Sequence, residues 1–277
     1  MSKDFKIRFW GVRGSICTPG ETTLKYGGNT PCVEVRCGNE IYIFDAGSGL
    51  RMLGKKIVKE PVKEINFLFS HFHWDHIHGF PFFLPAYSRK FVINMYGESK
   101  LSYSFEQLFS GQVIFPYFPV SLNQMDSKIN FIEIRRDGVI DKGDVKIRIG
   151  QLNHPGGCLG YRVEYNGKSF VYATDTEHYN CIDPLVLKIA KNADVMVYDC
   201  NYTDEEYSGA KGFPRTGWGH STWTQGLKLV KEAGVKKFIL FHHDPDHDDD
   251  FINMLEKKAQ AEFKESYAAY EGMEIEL

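Results

Sequence analysis

The chain has 277 residues, 43% of them hydrophobic and 25% charged, with a formal net charge of −3; that is a globular composition with enough apolar side chains for a sizeable core. No excess of Lys or Arg advertises nucleic-acid binding, no apolar run approaches the roughly 18 residues that cross a bilayer, and the start Met1-Ser2-Lys3-Asp4-Phe5-Lys6 has an acidic residue and no apolar core, so no secretory leader is expected. The six cysteines, at 17, 32, 37, 158, 181 and 200, form no Cys-x-x-Cys pair and read as reduced thiols, buried as small apolar residues in a cytoplasmic protein.

Residues 5–10 alternate apolar and polar and stop at Gly11, which predicts a strand. Residues 33–37 alternate too, and 40–44 follow across Gly38-Asn39, a hairpin signal. That strand runs into Asp45-Ala46-Gly47-Ser48-Gly49. Residues 65–69 form a short apolar run that leads to Ser70-His71, and residues 92–96 form a strand that ends at Gly97. In the second half, 145–149 read as a strand shortly before His154. Residues 161–165 and 169–173 make a hairpin around Asn166-Gly167, with Asp175 beyond its far end. Residues 194–198 form a strand that ends in Asp199. Ser221 or Thr222 caps a helix with Trp223, Leu227 and Val230 on one face, and Gly234 closes it. Residues 237–241 form a strand that runs into His242, and Asp248, Asp249 and Asp250 load the start of a last helix. No Pro/Gly/Ser-rich linker or fixed-period repeat divides the chain, so one domain over 1–277 is expected. His71, Asp175, Asp199 and His242 each follow a β run, which is how residues distant in sequence reach one rim.

The segment His71-Phe72-His73-Trp74-Asp75-His76 carries the chemistry. Neutral imidazoles and a carboxylate suit zinc and similar divalent ions. In a tight turn after a strand, residues i and i+2 can face one ion while i+4 and i+5 face a second. Three histidines and an aspartate within six residues are hard to explain as structural. His78 falls outside this spacing and reads as structural.

This segment resembles the His-x-His-x-Asp-His signature of the metallo-β-lactamase superfamily, and the resemblance extends over nearly the whole chain. Phe9-Trp10-Gly11 with Gly14-Ser15 resembles the opening strand and glycine loop of its phosphodiesterase branch, and Ile43-Phe44-Asp45-Ala46-Gly47 resembles its Asp-x-Gly strand end. The fold implied is α/β, a four-layer αββα sandwich with the site along one edge between the sheets. The resemblance further implies that His154 joins His71 and His73 on one ion, that His242 joins Asp75 and His76 on another, and that Asp175 is shared. The apolar strand phase favours His242 over His243. Gly219-His220-Ser221-Thr222 resembles the His-Ser-Thr segment of transfer-RNA 3′-processing endonucleases and related phosphodiesterases. In those enzymes this histidine contacts the scissile phosphate and helps protonate the leaving group. It opens a helix, whose free N–H groups favour anions. Asp45 reads either as an orienting partner of a metal-bound histidine or as a turn residue. Asp199 is similar and is not named catalytic, and residues 244–248 read as a solvated loop.

The implied cofactor is a pair of divalent ions, zinc first, with manganese or iron(II) as alternatives. Such a pair, about 3.5–4 Å apart, clamps the oxygens of an in-line displacement and brings the pKa of a bound water to about 7. Asp75 and His220 are the expected catalytic residues, Asp75 accepting a proton from the water and His220 donating one to the leaving oxygen. The expected reaction is hydrolysis of a small phosphodiester, a cyclic nucleotide being one such substrate. The alternatives are a transfer-RNA 3′-type endonuclease acting on nucleic acid and a thioester, lactam or lactone hydrolase. No membrane partner is expected, and the family resemblance allows a homodimer. Between residues 102 and 125, Tyr103, Phe105, Phe109, Phe115, Tyr117 and Phe118, with Phe80, Phe82 and Phe83, are expected either to roof the site and stack on a base or to pack against the sandwich.

Overall fold

Two seven-stranded sheets carry the chain. We describe residues 4–210 and 212–277 of a computed structural model; residues 1–3, the beginning of the stretch read as lacking a leader, and Lys211 lie outside the described residues. The first sheet contains β1 (Phe5–Gly11), β2 (Cys32–Cys37), β3 (Glu40–Phe44), β4 (Glu64–Leu68), β5 (Val92–Gly97) and β6 (Lys128–Glu133), with β14 (Glu274–Glu276) on its edge beside β1. The second runs β13 (Ser266–Ala268), β12 (Lys237–Phe241), β11 (Val195–Asp199), β10 (Lys168–Ala173), β9 (Cys158–Tyr165), β8 (Val145–Leu152), β7 (Val139–Lys142).

The sheets share one plan. From β14 to β3 and from β7 to β10 neighbours are antiparallel; from β3 to β6 and from β10 to β13 they are parallel. Hairpin turns need positive φ for the flanking strands to keep their twist. Asn166-Gly167 has it at both residues, φ 49° and 72°, while Gly38 alone supplies it at the other turn, with φ 59°.

Three apolar layers follow from the strand pattern. The middle layer joins the facing sides of both sheets: Phe5, Ile7, Val35 and Phe44 meet Ile147, Tyr161, Phe170, Val197 and Phe241. Phe44 packs its ring within 5.2–5.9 Å of Tyr161, Phe170 and Tyr172, and each such buried side chain contributes about 1.5–3 kcal/mol. In β1 burial alternates along the strand, as one packed face requires, whereas β11 is buried throughout because helices cover its other face. Helices α4 (Pro184–Ala190), α6 (Trp223–Ala233) and α7 (Asp249–Glu262) cover the second sheet, and the short α5 (Asp204–Ser208) precedes α6 in the chain. On the first sheet, α1 (Leu50–Ile57), the short α2 (Trp74–Ile77) and α3 (Phe105–Ser110) do the same. The result is the expected αββα sandwich. Thr222 caps α6 by accepting from the Gln225 N–H, left-handed Gly234 ends it, and Asp248 caps α7.

One open alternative is resolved in part and two expectations are corrected. Phe105, Phe109, Phe80 and Phe83 are fully buried in the layer outside the first sheet and pack against the sandwich, while Phe82, Tyr103, Phe115 and Tyr117 are exposed. The 244–248 loop is not simply solvated: Asp244 and His247 are buried, paired with Arg215 and Glu206, and the Arg13 guanidinium donates to the Asp244 and His247 carbonyls. All six cysteines are free, but only Cys32, Cys37, Cys158 and Cys200 are buried; Cys17 is half-buried and Cys181 exposed.

Candidate metal centre and active site

The C-terminal ends of co-directional strands deliver the site. In the first sheet β3 ends before Asp45 and β4 before Ser70 and His71. In the second, β8 ends before His154, β10 before Asp175, β11 at Asp199 and β12 before His242. Ligand sites favour the carboxyl ends of such strands, where side chains from separate loops converge. Ser15, Asp45, Asp175 and His242 are all left-handed, with φ 63°, 58°, 54° and 60°. A non-glycine residue held there costs of order 1–3 kcal/mol and persists where the surroundings fix it; here it turns the chain sharply at each rim position.

The predicted ligands meet in two adjoining groups. In one, the Nε2 atoms of His76 and His242 lie 3.3 Å apart. Each lies 3.2–3.3 Å from both Asp75 Oδ2 and Asp175 Oδ1. In the other, His154 Nε2 is 3.0 Å from His73 Nδ1, and Asp175 Oδ2 is 3.6 Å from His71 Nε2 and 3.7 Å from His154 Nε2. Ligands bonded at about 2.0–2.2 Å around a tetrahedral ion sit roughly 3.3–3.6 Å from one another, and these spacings of 3.0–3.7 Å bracket that range. Asp175 gives one oxygen to each group. His71 Nε2 is buried and has no hydrogen-bond partner among the described residues, a costly state unless something else accepts its lone pair. The residues therefore fit divalent ions.

Partners behind the rings fix which nitrogen faces inward. His76 Nδ1 pairs with Asp45 Oδ2 at 2.8 Å, and Asp45 also accepts from the Ser70 amide and hydroxyl and from the Tyr172 hydroxyl. Asp45 is thus the orienting partner, not merely a turn residue. His154 Nδ1 donates to the Gly219 carbonyl at 2.8 Å, and His71 Nδ1 meets Ser70 Oγ at 3.0 Å. Such contacts set the tautomer of a ligand histidine. Burial keeps His71, His73 and His154 below the usual imidazole pKa, as neutral ligands must be. Burial would lower His76 as well, but Asp175, Asp75 and Asp45 outweigh it and raise it. Burial would raise Asp75 and Asp175, yet the surrounding imidazoles hold both well below the usual carboxylate range. The cluster is a set of ionised carboxylates that calls for positive charge.

His220 stands beside these groups, its ring 5.0 Å from that of His242 and 5.3 Å from that of His154. Its Nδ1 pairs with the fully buried Asp199 at 2.8 Å. Burial lowers the imidazole pKa, but Asp199 outweighs it and lifts the group to about 9. Asp199, read from sequence like Asp45 as an orienting partner or a turn residue, is the partner that charges His220. A cavity of about 380 Å³ opens over the site, lined by Ser15, Phe72, His73, Trp74, Asp75, Asp175 and His220. None of the 102–125 aromatics lines it. His78 contacts Cys17 and Thr30, and His243 Nε2 meets the Ala269 carbonyl; neither stands in the two groups, and His242, not its alternative His243, does.

Sequence reading missed the supporting residues. The Ser15 amide donates to Asp75 Oδ2 at 2.8 Å, and Asn201 Nδ2 donates to the His242 carbonyl at 2.9 Å. Glu177 is buried and accepts from the Gly217 amide (2.7 Å), the Gly219 amide (2.9 Å) and the Tyr207 hydroxyl (2.8 Å). It thereby clamps the loop that carries His220 and supplies the carbonyl for His154. Only its place two residues after Asp175 hinted at this.

Comparison with known proteins bears on the family and the fold. A Ribonuclease Z from Picrophilus torridus is 26% identical over 321 aligned positions, covering 100% of this chain and 97% of the relative. YhfI from Bacillus subtilis, a metallo-beta-lactamase fold protein, superposes with a TM-score of 0.73 at 19% identity, covering 100% of both chains. A diphosphatase of the PhnP family superposes with a TM-score of 0.71 at 15% identity, covering 99% of this chain and 98% of that one. Residues 41–243 match the family described as the Beta-lactamase superfamily domain. The chain belongs to the β-lactamase superfamily and is a metal-dependent hydrolase.

Proposed function

We propose that this hydrolase cleaves phosphodiester bonds and that RNA is its substrate class. In this reading His71, His73 and His154 hold one divalent ion, Asp75, His76 and His242 hold a second, and Asp175 serves both. The observation that carries the reaction class is the His220–Asp199 pair beside the ligand cluster. Phosphodiester cleavage builds negative charge on the leaving oxygen, and a positioned imidazolium relieves it by giving up a proton. With Nδ1 held by Asp199, the His220 Nε2–H is the proton that can be given. Bound divalent ions supply charge neutralisation for the phosphate and lower the pKa of water to about 7. Asp75 lines the cavity; Ser15 N–H holds its Oδ2, leaving Oδ1 to take the proton that the attacking water loses.

RNA as substrate is supported by the full-length relative named Ribonuclease Z, which favours the nuclease alternative over the small phosphodiester expected from sequence. One observation favours the small substrate: no Lys or Arg stands among the described residues lining the cavity, so little there neutralises the many phosphates of a long chain. The test is a hydrolysis panel with metal-loaded protein: a transfer-RNA precursor, cyclic mono- and dinucleotides, a generic aryl phosphodiester and a thioester. Cleavage of the precursor supports the main reading, and turnover of cyclic nucleotides alone supports the second. Turnover of the thioester with no phosphodiester cleaved refutes both.

A further inference from the structure

Trp74 stands between two proposed ligands, His73 and Asp75, yet plays no part in the core. Its side chain is 82% exposed. Among the described residues its indole has neither a ring partner nor a hydrogen-bond partner, although tryptophan is ordinarily well buried. It lines the cavity together with Phe72, whose ring is braced by Phe105 at 5.6 Å. The cavity is therefore two-sided. His73, Asp75, Asp175 and His220 form a polar, metal-type end, and Phe72 with Trp74 forms an aromatic end. A ligand that fills both carries a phosphate joined to a planar face. On the loop that leads into His220, Trp218 is 51% exposed and pairs with Phe213 at 5.6 Å, a second exposed aromatic ahead of the same histidine.

We propose that Trp74 is a specificity-determining residue that stacks on a nucleobase next to the scissile phosphate, so that the enzyme selects nucleotide phosphodiesters over phosphodiesters lacking a base. This rests on the phosphodiesterase reading above and refines it. An indole face stacks on any of the bases, so the selection is for a base and not for a sequence. The experiment compares kcat/KM of the metal-loaded wild type, Trp74→Ala and Trp74→Phe. The substrates are the RNA dinucleotide adenylyl-3′,5′-adenosine and its analogue lacking both bases, with bound metal measured for each protein. Stacking on one base corresponds to about a 5- to 150-fold effect. Trp74→Ala should lose that much more on the dinucleotide than on the abasic analogue, and Trp74→Phe should recover most of the difference. Equal losses on both substrates, or a wild type indifferent to the bases, overturn the proposal while leaving the phosphodiesterase reading intact. No turnover of either substrate by the wild type, with a thioester hydrolysed, overturns both together.

Discussion

Replacing His220 separates proton donation from metal binding. In the reading above His220 gives its Nε2 proton to the leaving oxygen, a contribution typically worth 10²–10⁴-fold in rate, or about 2.7–5.5 kcal/mol. The benefit depends on the leaving group. An alkoxide such as a ribose oxygen needs the proton, whereas p-nitrophenolate departs readily as an anion. His220→Ala should therefore lose about 10²–10⁴-fold on an RNA or alkyl phosphodiester and less than about 10-fold on a p-nitrophenyl phosphodiester. The substitution also has a structural cost. Asp199 is fully buried and, among the described residues, would keep only its contacts to the Ser221 and Asn201 amides, at 3.3 and 3.1 Å. Breaking a buried charged pair costs about 3–5 kcal/mol. His220→Gln, whose amide can still meet Asp199, keeps the fold while removing the acid, and it should show the same leaving-group dependence. Single-turnover rates on both substrate types, with metal content measured by elemental analysis, read the outcome. Equal losses on both leaving groups would refute proton donation, and loss of bound metal would make His220 a ligand.

Asp175→Asn offers one oxygen where two are used, since Oδ1 and Oδ2 face different groups. It should bind at least one divalent ion fewer per chain; wild-type stoichiometry after gel filtration would contradict the shared role. Gly219→Ala places a Cβ against His154 Nδ1 at a residue with φ 90°. It should disturb His154, weaken metal retention and lower turnover together, so a fully active, fully loaded variant would show that the loop yields freely. The Glu206 carboxyl would be raised by burial, but the hydrogen bonds from His247 and Thr203 outweigh it and hold the group down to about 2. A carboxyl depressed on folding stabilises the fold above its unfolded value near 4.5, and that stability is lost as the pH falls towards about 2. In urea unfolding, wild type should lose up to about 3 kcal/mol more than Glu206→Gln between pH 6 and 2; parallel pH profiles would refute the link.

Much of the site was legible because its signals are local. The spacing of His71, His73, Asp75 and His76 marks a metal loop without reference to the rest of the chain, and the alternation in residues 5–10 or the Asn166-Gly167 turn reports strands and hairpins directly. The short helix α3 and strands β6 and β7 were passed over, although the Ser104–Gln107 capping box opens α3 and Asp137-Gly138 and Gly143 punctuate β7. The role of residues 102–125 was open because an aromatic run looks alike whether it packs or binds. Phe105 and Phe109 are buried and pack, Tyr103, Phe115 and Tyr117 are exposed away from the cavity lining, and Trp74, inside the metal motif itself, is an exposed aromatic that lines it.

The sequence by itself determined the chemistry of the donors: neutral imidazoles and carboxylates, their spacing within one loop, and the strand ends on which their distant partners would sit. Only the tertiary structure decided their geometry, because the contacts that aim them join residues far apart in the chain. Asp45 reaches His76, Asp199 holds His220, and Glu177 clamps Gly217 and Gly219 across separations of 21 to 42 positions. A lone aspartate or glutamate after a strand carries no mark of what it will face. Which carboxylate orients and which faces the ligand groups is settled when co-directional strands bring their ends to one rim and burial forces each charge to find partners there.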